Sequence, residues 1–142
     1  MELDYIEMLK TLAKIGAAYV IALPVAINRE SDAGHNAGLR TFPLVATAAC
    51  GYMVLGIQVL DTTEAEARVL YGIITGMGFI GGGSILKNES GVSGTATAAS
   101  LWITGAIGLA VAYNRFEIAI ALSLITYLTL LIVPTFKNSA FK

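Results

Sequence analysis

The sequence predicts an all-α, polytopic membrane protein, in which about five transmembrane helices pack through glycine-rich faces as a single domain. Three observations support this class. Of the 142 residues, 56% are hydrophobic and 13% are charged, whereas a soluble domain carries about 25% charged residues. The apolar residues fall into stretches of roughly the length that crosses a bilayer as a helix. The 15 glycines would be costly in soluble helices but let membrane helices approach closely.

The first two predicted spans flank the densest polar run of the chain. The first covers about residues 12–27 and carries Lys14 near one end, from where the long side chain can reach the headgroups. Residues 28–41 follow as a polar loop, and Pro43 can open the second span, about residues 44–60. We therefore expect the polar loop to lie at one membrane surface.

The rest of the chain is organised around residues 69–113. Two apolar segments, about 69–86 and 94–113, contain no charged side chain and are separated by a short polar break. They predict a hairpin of two spans that forms the packed centre of the protein. A fifth span covers about residues 118–133 and ends at Pro134.

The composition limits the function classes. A net charge of -1 offers no broad cationic surface for phosphates, so we expect no nucleic-acid partner. One cysteine and one histidine leave no zinc motif, and the histidine lies in a different loop from Ser84 and Ser100, where a serine nucleophile would need a base. We therefore expect no enzymatic activity and no cofactor, with the lipid bilayer as the main partner. The question of a bound metal ion stays open.

The polar loop gathers charged side chains at the edge of the membrane. Charges there are costly unless paired, so an arginine with Glu30 or Asp32 is the first ion pair to expect. One interpretation is a solvated loop whose arginines meet lipid headgroups. The other is an ionic cluster, folded against the helix bundle, that senses an ion, a proton or a partner protein. The candidate cluster consists of Arg29, Glu30, Asp32, Arg40 and Thr41.

Glycines and small hydroxyl residues mark a second candidate region, within residues 69–113. Consecutive glycines weaken a helix, and irregular backbone at membrane depth survives only where it is buried or lines a cavity. The glycines indicate either close helix packing or a broken helix that binds an ion. The hydroxyls share one helix face and either bond to other helices or line a small cavity, and the tryptophan is expected to pack against another helix. The helix-packing or cavity residues are Gly76, Gly78, Gly81, Gly83, Thr97, Ser100 and Trp102.

The cationic residues suggest how the chain is oriented. We expect the N-terminus outside and the C-terminus in the cytoplasm, because more of the nine lysines and arginines then lie on the inner side. The inner group would be Arg29, Arg40, Lys87, Lys137 and Lys142.

Three segments in series resemble the MgtC/SapB family of bacterial inner-membrane proteins. Together they extend over nearly the whole chain, from about residue 12 to residue 131. They are Asn28-Arg29-Glu30 with Ala37-Gly38-Leu39-Arg40-Thr41, then Gly76-Met77-Gly78-Phe79-Ile80-Gly81-Gly82-Gly83, then Val92-Ser93-Gly94 leading into Thr97-Ala98-Ala99-Ser100-Leu101-Trp102.

This resemblance implies a protein of about five helices, often linked to survival under magnesium limitation and inside host cells. Members are regarded as regulators more than as magnesium pumps, and one is described as acting on the F-type ATP synthase. We expect the chain to match the SapB-type core, without the soluble C-terminal domain of longer members. The polar positions of the family correspond here to Arg29, Glu30, Gly38, Arg40, Thr41, Thr97, Ser100 and Trp102.

Two classes of function remain. The first is a non-enzymatic regulator that binds another membrane complex through glycine-faced helices. The second is a small cation or proton transporter or channel subunit, with a cavity between the third and fourth spans. A carboxylate pointing into a cavity would favour transport, and a filled centre with glycine faces exposed to lipid would favour regulation. In both cases we expect a homo-oligomer, with a dimer favoured, because five short helices have little internal surface to cover these faces.

Overall fold

The computed structural model describes residues 4–30, 37–89 and 91–140, with the side chains of these ranges except at 88 and 135–140. Within these ranges the chain forms five helices and one short hairpin of two antiparallel strands. The elements are α1 (Tyr5–Glu30), α2 (Thr41–Val59), α3 (Thr63–Gly83), β1 (Leu86–Asn88), β2 (Gly91–Ser93), α4 (Thr95–Ala112) and α5 (Phe116–Ala140).

Four of the described helices are long and apolar enough to cross a membrane, namely α1, α2, α4 and the Phe116–Pro134 part of α5. The predicted class, an all-α polytopic membrane protein, is confirmed. α3 has 21 residues, a length of about 31 Å, but glutamates in its first turn and its many glycines make it less apolar. Its crossing of the membrane stays a prediction.

α4 is the central helix and packs against the other four helices. Every residue from Ile107 to Ala112 is buried. The tightest contact lies at Gly108, where a Cβ atom would collide with the carbonyl oxygen of Ala46 and lie 3.0 Å from the Cβ of Ala49. The absence of a side chain at Gly108 therefore lets the backbones of α4 and α2 touch.

α3 lies at the edge of the bundle, so the prediction that it shares the packed centre with α4 is wrong. Only Met77 and Gly81 of α3 are buried. The side chain of Met77 fills the space beside Gly105 of α4, and a Cβ at Gly81 would lie 3.2 Å from the carbonyl oxygen of Ala98. Sequence shows where small residues stand in a helix, but it does not show which of them face a neighbour.

The predicted boundaries of several spans differ from those of the helices. α1 begins at Tyr5, well before the predicted start at residue 12. α3 ends at Gly83, and the chain then enters the strand pair between Leu86 and Ser93. α5 continues past Pro134, which fits the tolerance of membrane helices for proline when freed backbone groups find other partners.

The alternating directions of the helices bring several polar segments to one end of the bundle, here named the arginine end. It contains the C-terminus of α1, the N-termini of α2 and α4, and the strand pair. Arg29, Arg40 and Lys87 therefore lie at the same end. The opposite end holds the α2–α3 and α4–α5 turns, including Asn114 with a φ of 59°.

We expect Gly108→Ala to lower the free energy of unfolding by about 1–3 kcal/mol, because the new methyl group meets rigid backbone of α2. Gly51→Ala is the matched control on α2, since a Cβ there meets nothing within 4 Å. Its higher helix propensity should leave stability equal or raise it by about 0.5–1 kcal/mol. Melting curves in detergent measure both, and equal melting of the two variants would contradict this packing.

Trp102 is the only tryptophan of the chain, and its side chain is 54% exposed on the outside of the bundle. We expect its fluorescence in liposomes to be quenched strongly by lipids brominated on their acyl chains and weakly by aqueous acrylamide, because this surface faces hydrocarbon. Stronger quenching by acrylamide would place α4 in water and contradict the membrane assignment.

Candidate functional site

Arg29 is a cationic side chain buried in the bundle. It lies in the last turn of α1 and is only 4% exposed. Its Nη2 atom donates a hydrogen bond to Oδ1 of Asn28 at 3.1 Å. A cation in the last turn of a helix is also favoured by the partial negative charge of the helix C-terminus. The polar loop is therefore anchored inside the protein by one of its two arginines.

Glu30 joins the end of α1 to the start of α2. Its exposed carboxylate accepts a hydrogen bond from the backbone N–H of Leu39 at 3.0 Å. The backbone of Gly38 lies against this carboxylate so closely that a Cβ would collide with it. The carbonyl of Gly38 then accepts from the amides of Thr41 and Phe42, at 3.0 and 3.1 Å, and α2 begins.

The predicted ion pair between Glu30 and an arginine is not formed within the described residues. Glu30 bonds to backbone instead, because a carboxylate at the end of α1 meets the free amide of Leu39. Asp32, the other predicted acidic partner, lies outside the described residues.

Arg40 and Thr41 stand at the N-terminus of α2. Arg40 occupies the N-cap position, and its side chain does not cap the helix. It is exposed, and Thr41 is half-buried. Both line a lateral groove between α2 and α3. The polar loop thus divides into a buried part at Arg29 and an exposed part at Arg40.

The hydroxyl face of α4 is buried but bonds mainly along its own helix. Ser100 donates to the carbonyl of Ala96 at 2.7 Å, and Thr104 donates to the carbonyl of Ser100 at 2.8 Å. In these two cases the predicted bonds between helices are absent among the described residues, because the carbonyl four residues earlier is always within reach of a serine or threonine.

Thr97 differs from the other hydroxyl residues. It is 3% exposed, and its Oγ1 atom has no hydrogen-bond partner in the described part of the chain. Such a buried, unbonded group costs about 1–3 kcal/mol. Leu101, one turn further along α4, packs with Val25 of α1. Because α1 and α4 run in opposite directions, Thr97 and Arg29 lie at the same level of the bundle.

The predicted glycine site is mostly turned away from the rest of the chain. A Cβ at Gly76, Gly78 or Gly83 would meet nothing within 4 Å, whereas Gly81 touches α4. α3 is continuous to Gly83, so the broken-helix interpretation is wrong. Of these four glycines, only Gly81 packs closely against another helix of the chain.

Trp102 bridges α4 and α3 while remaining half-exposed. Its Nε1 atom donates to the carbonyl of Ile74 at 3.4 Å. The indole therefore contacts a neighbouring helix, as predicted, but its outer edge faces the surroundings of the bundle.

A lateral groove of about 1140 Å³ runs between α2 and α3. Its wall is apolar over most of its length, and Arg40 and Thr41 lie at its arginine end. Sequence reasoning missed this groove. Two features of the sequence could have indicated it. The segment that forms α3 is less apolar than the other spans, and Gly72 and Gly76, which line the groove, stand four residues apart in it. Other lining residues include Leu44, Ala48, Tyr52, Phe79 and Ile80.

The end of the bundle opposite the arginine end is held by long polar side chains. Lys14 of α1 donates to the carbonyl of Ala112 at 3.0 Å, in the last turn of α4. It therefore points into the bundle and not toward the headgroups, because the carbonyls at a helix C-terminus attract a cation. Tyr113 donates to the carboxylate of Glu66 at 3.2 Å and ties α4 to α3. No cluster of three potential metal ligands occurs among the residues that the structure describes.

We expect Glu30→Ala to lower the free energy of unfolding by about 1 kcal/mol, since the amide of Leu39 loses its acceptor. Gly38→Ala should cost more in the wild type, where the new methyl group meets the carboxylate of Glu30, than in the Glu30→Ala background. Melting curves of the two single variants and the double variant test this coupling. Strictly additive effects would contradict the contact.

Comparison with known proteins agrees with the resemblance in the sequence. The model of the MgtC family matches residues 15–139. The chain is 32% identical over 116 residues to "Putative magnesium transporter YhiD" of Escherichia coli, covering 77% of this chain and 53% of that protein. It is 32% identical over 134 residues to protein SrpB of Synechococcus elongatus, covering 85% and 71%.

Protein MgtC of Salmonella typhimurium is 35% identical over 89 residues, which cover 63% of this chain and 38% of that protein. The chain thus spans about half the length of YhiD and less of MgtC. No solved structure matches. The match of the family model to most of the chain, together with these relatives, shows that the chain belongs to the MgtC family.

Proposed function

We propose that this chain is a non-enzymatic regulator in the bacterial inner membrane, which binds another membrane system during adaptation to low magnesium. One observation carries the proposal, namely the different surroundings of the glycines in α3 and α4. Gly105 and Gly108 of α4 are covered by Met77 and Ala46 of the same chain. Most glycines of α3 face open space, so they are available to a helix of another protein.

The proposed docking face on α3 consists of Tyr71, Gly78 and Gly82. These residues are seven and four positions apart, so they share one side of the helix. Tyr71 is 73% exposed, and a Cβ at either glycine would meet nothing within 4 Å. Two small residues four positions apart let membrane helices approach closely enough for extensive van der Waals contact. A transmembrane helix of the partner is the occupant that this face suits.

The region in which transport would need a cavity is filled. Between α3 and α4, the Met77 side chain occupies the space beside Gly105, and Gly81 lies against Ala98. The carboxylate of Glu30 is exposed at the surface and bonds to Leu39. Neither feature provides an ion with a charged path through the described part of the bundle, which supports regulation over conduction.

A small cation or proton transporter subunit is the second candidate. Two observations favour it: the name of the relative YhiD refers to magnesium transport, and the buried hydroxyl of Thr97 has no partner among the described residues. Transport would require α3 to move away from α4 so that a cavity opens between them.

In this proposal the N-terminus lies outside and the C-terminus in the cytoplasm. The arginine end carries Arg29, Arg40 and Lys87, while the opposite end carries acidic residues around Asp61 and Glu64. An excess of lysine and arginine in short loops is typical of the cytoplasmic side. The uncovered surface of α3 also supports a homodimer, since a second copy would bury part of it.

Reconstitution in liposomes separates the two candidates. We expect the purified wild-type protein to give no flux of magnesium, potassium or protons, as a regulator should. Flux of any of these ions that is lost in Glu30→Gln and Arg40→Ala would instead select the transporter. Retention of both variants in the lipid fraction is the control for insertion.

Photocrosslinking in the native membrane tests the docking face. A photoreactive phenylalanine analogue in place of Tyr71 should crosslink to a membrane protein, and Gly78→Leu should abolish this product because a large side chain blocks close approach. Gly16→Leu on α1 is the matched control, since that position is equally open. Unchanged crosslinking in Gly78→Leu would contradict the docking face. Detection of the uncrosslinked monomer alone would contradict both a partner protein and a homodimer at this face.

A further inference from the structure

The groove between α2 and α3 exists because α3 leaves α2 and leans on α4. Near their connecting turn the two helices touch, since a Cβ at Gly56 would lie 3.5 Å from Cγ1 of Val69. Towards the arginine end α3 packs instead on α4, through Met77 and Gly81. The gap that remains beside α2 is open to the side of the bundle.

The arginine end of this groove carries a free cation. The guanidinium of Arg40 is exposed and makes no hydrogen bond or ion pair in the part of the chain that the structure describes. The Thr41 side chain lines the groove beside it. The amides of Thr41 and Phe42 already donate to the carbonyl of Gly38, so these two amides are not available to a ligand, whereas the side chain of Arg40 is.

We propose that this half of the groove binds an anionic phospholipid, with its phosphate at Arg40 and one acyl chain along the apolar wall. A phospholipid has an anionic phosphate at one end and apolar acyl chains at the other. The groove is complementary to it, with a cation at its arginine end and an apolar wall beyond. The planar guanidinium can donate two parallel hydrogen bonds to phosphate oxygens. The acyl chain lies against Leu44, Ala48, Gly76, Phe79 and Ile80.

The length of the groove suits a lipid. From Arg40 to Leu60 the groove follows α2 for about 30 Å, the thickness of both leaflets. One acyl chain from the leaflet at the arginine end therefore fills the half next to Arg40. The docking face at Tyr71, Gly78 and Gly82 lies outside the groove, so this inference does not depend on the proposed function.

Native mass spectrometry of the purified protein in detergent tests the site, with phosphatidylglycerol as the probe. Arg40→Ala should weaken its binding about fivefold, and Arg40→Lys should restore part of the loss. Ala48→Phe, which fills the groove at an exposed position, should weaken binding without removing the cation. Lys87→Ala is the matched control, since Lys87 is an exposed cation at the same end that does not line the groove.

Four results would overturn the proposal. Equal losses in Arg40→Ala and Lys87→Ala would mean diffuse attraction to the surface. Unchanged binding in Ala48→Phe would mean that no acyl chain enters the groove. Competition by inorganic phosphate as strong as that by a short-chain phosphatidylglycerol would mean that the anion alone is recognised. Disulfide crosslinking between copies through Ala48→Cys, in a chain that also carries Cys50→Ala, would mean that a second copy covers the groove. Melting curves confirm that each variant is folded.

Discussion

The structure depends on the close approach of α4 to its neighbours. Gly108 lets the backbone of α4 meet that of α2, and Gly105 makes room for Met77 of α3. In a membrane, where lipid competes equally for apolar surface, such contacts are a main source of helix association. Because α4 packs against all four other helices, the close contacts at its two glycines help to hold the bundle together.

The position of the polar loop follows from this packing. α4 carries Leu101 into a cluster with Val25 and Phe42, which fixes the end of α1 beside the start of α2. The carboxylate of Glu30 then accepts a hydrogen bond from the amide of Leu39, and the backbone of Gly38 packs against this carboxylate. One arginine of the loop is thereby buried, and the other is left at the groove. A buried cation suits anchoring, whereas an exposed cation beside an apolar groove suits recognition of an amphipathic anion.

Much of the fold could be predicted, but less of the site. Spans over α2 and α4 were predicted because their residues are almost uniformly apolar, and the placement of Arg29 and Lys87 at one end follows from counting spans. The role of α3 was not predictable, since Gly78 and Gly81 look alike in sequence although only Gly81 touches α4. Likewise, the acceptor role of Glu30 requires knowing where the amide of Leu39 lies.

The sequence by itself determined the membrane class, the number of helices and the membership of the MgtC family, because each of these depends on local composition or on ordered motifs. Only the tertiary structure decided which helix is central, which glycines are covered, and that Arg40 stands at the mouth of a groove. The physical reason is that hydropathy and helix length are properties of single segments. Whether a residue is buried depends instead on how two or three helices pack against one another.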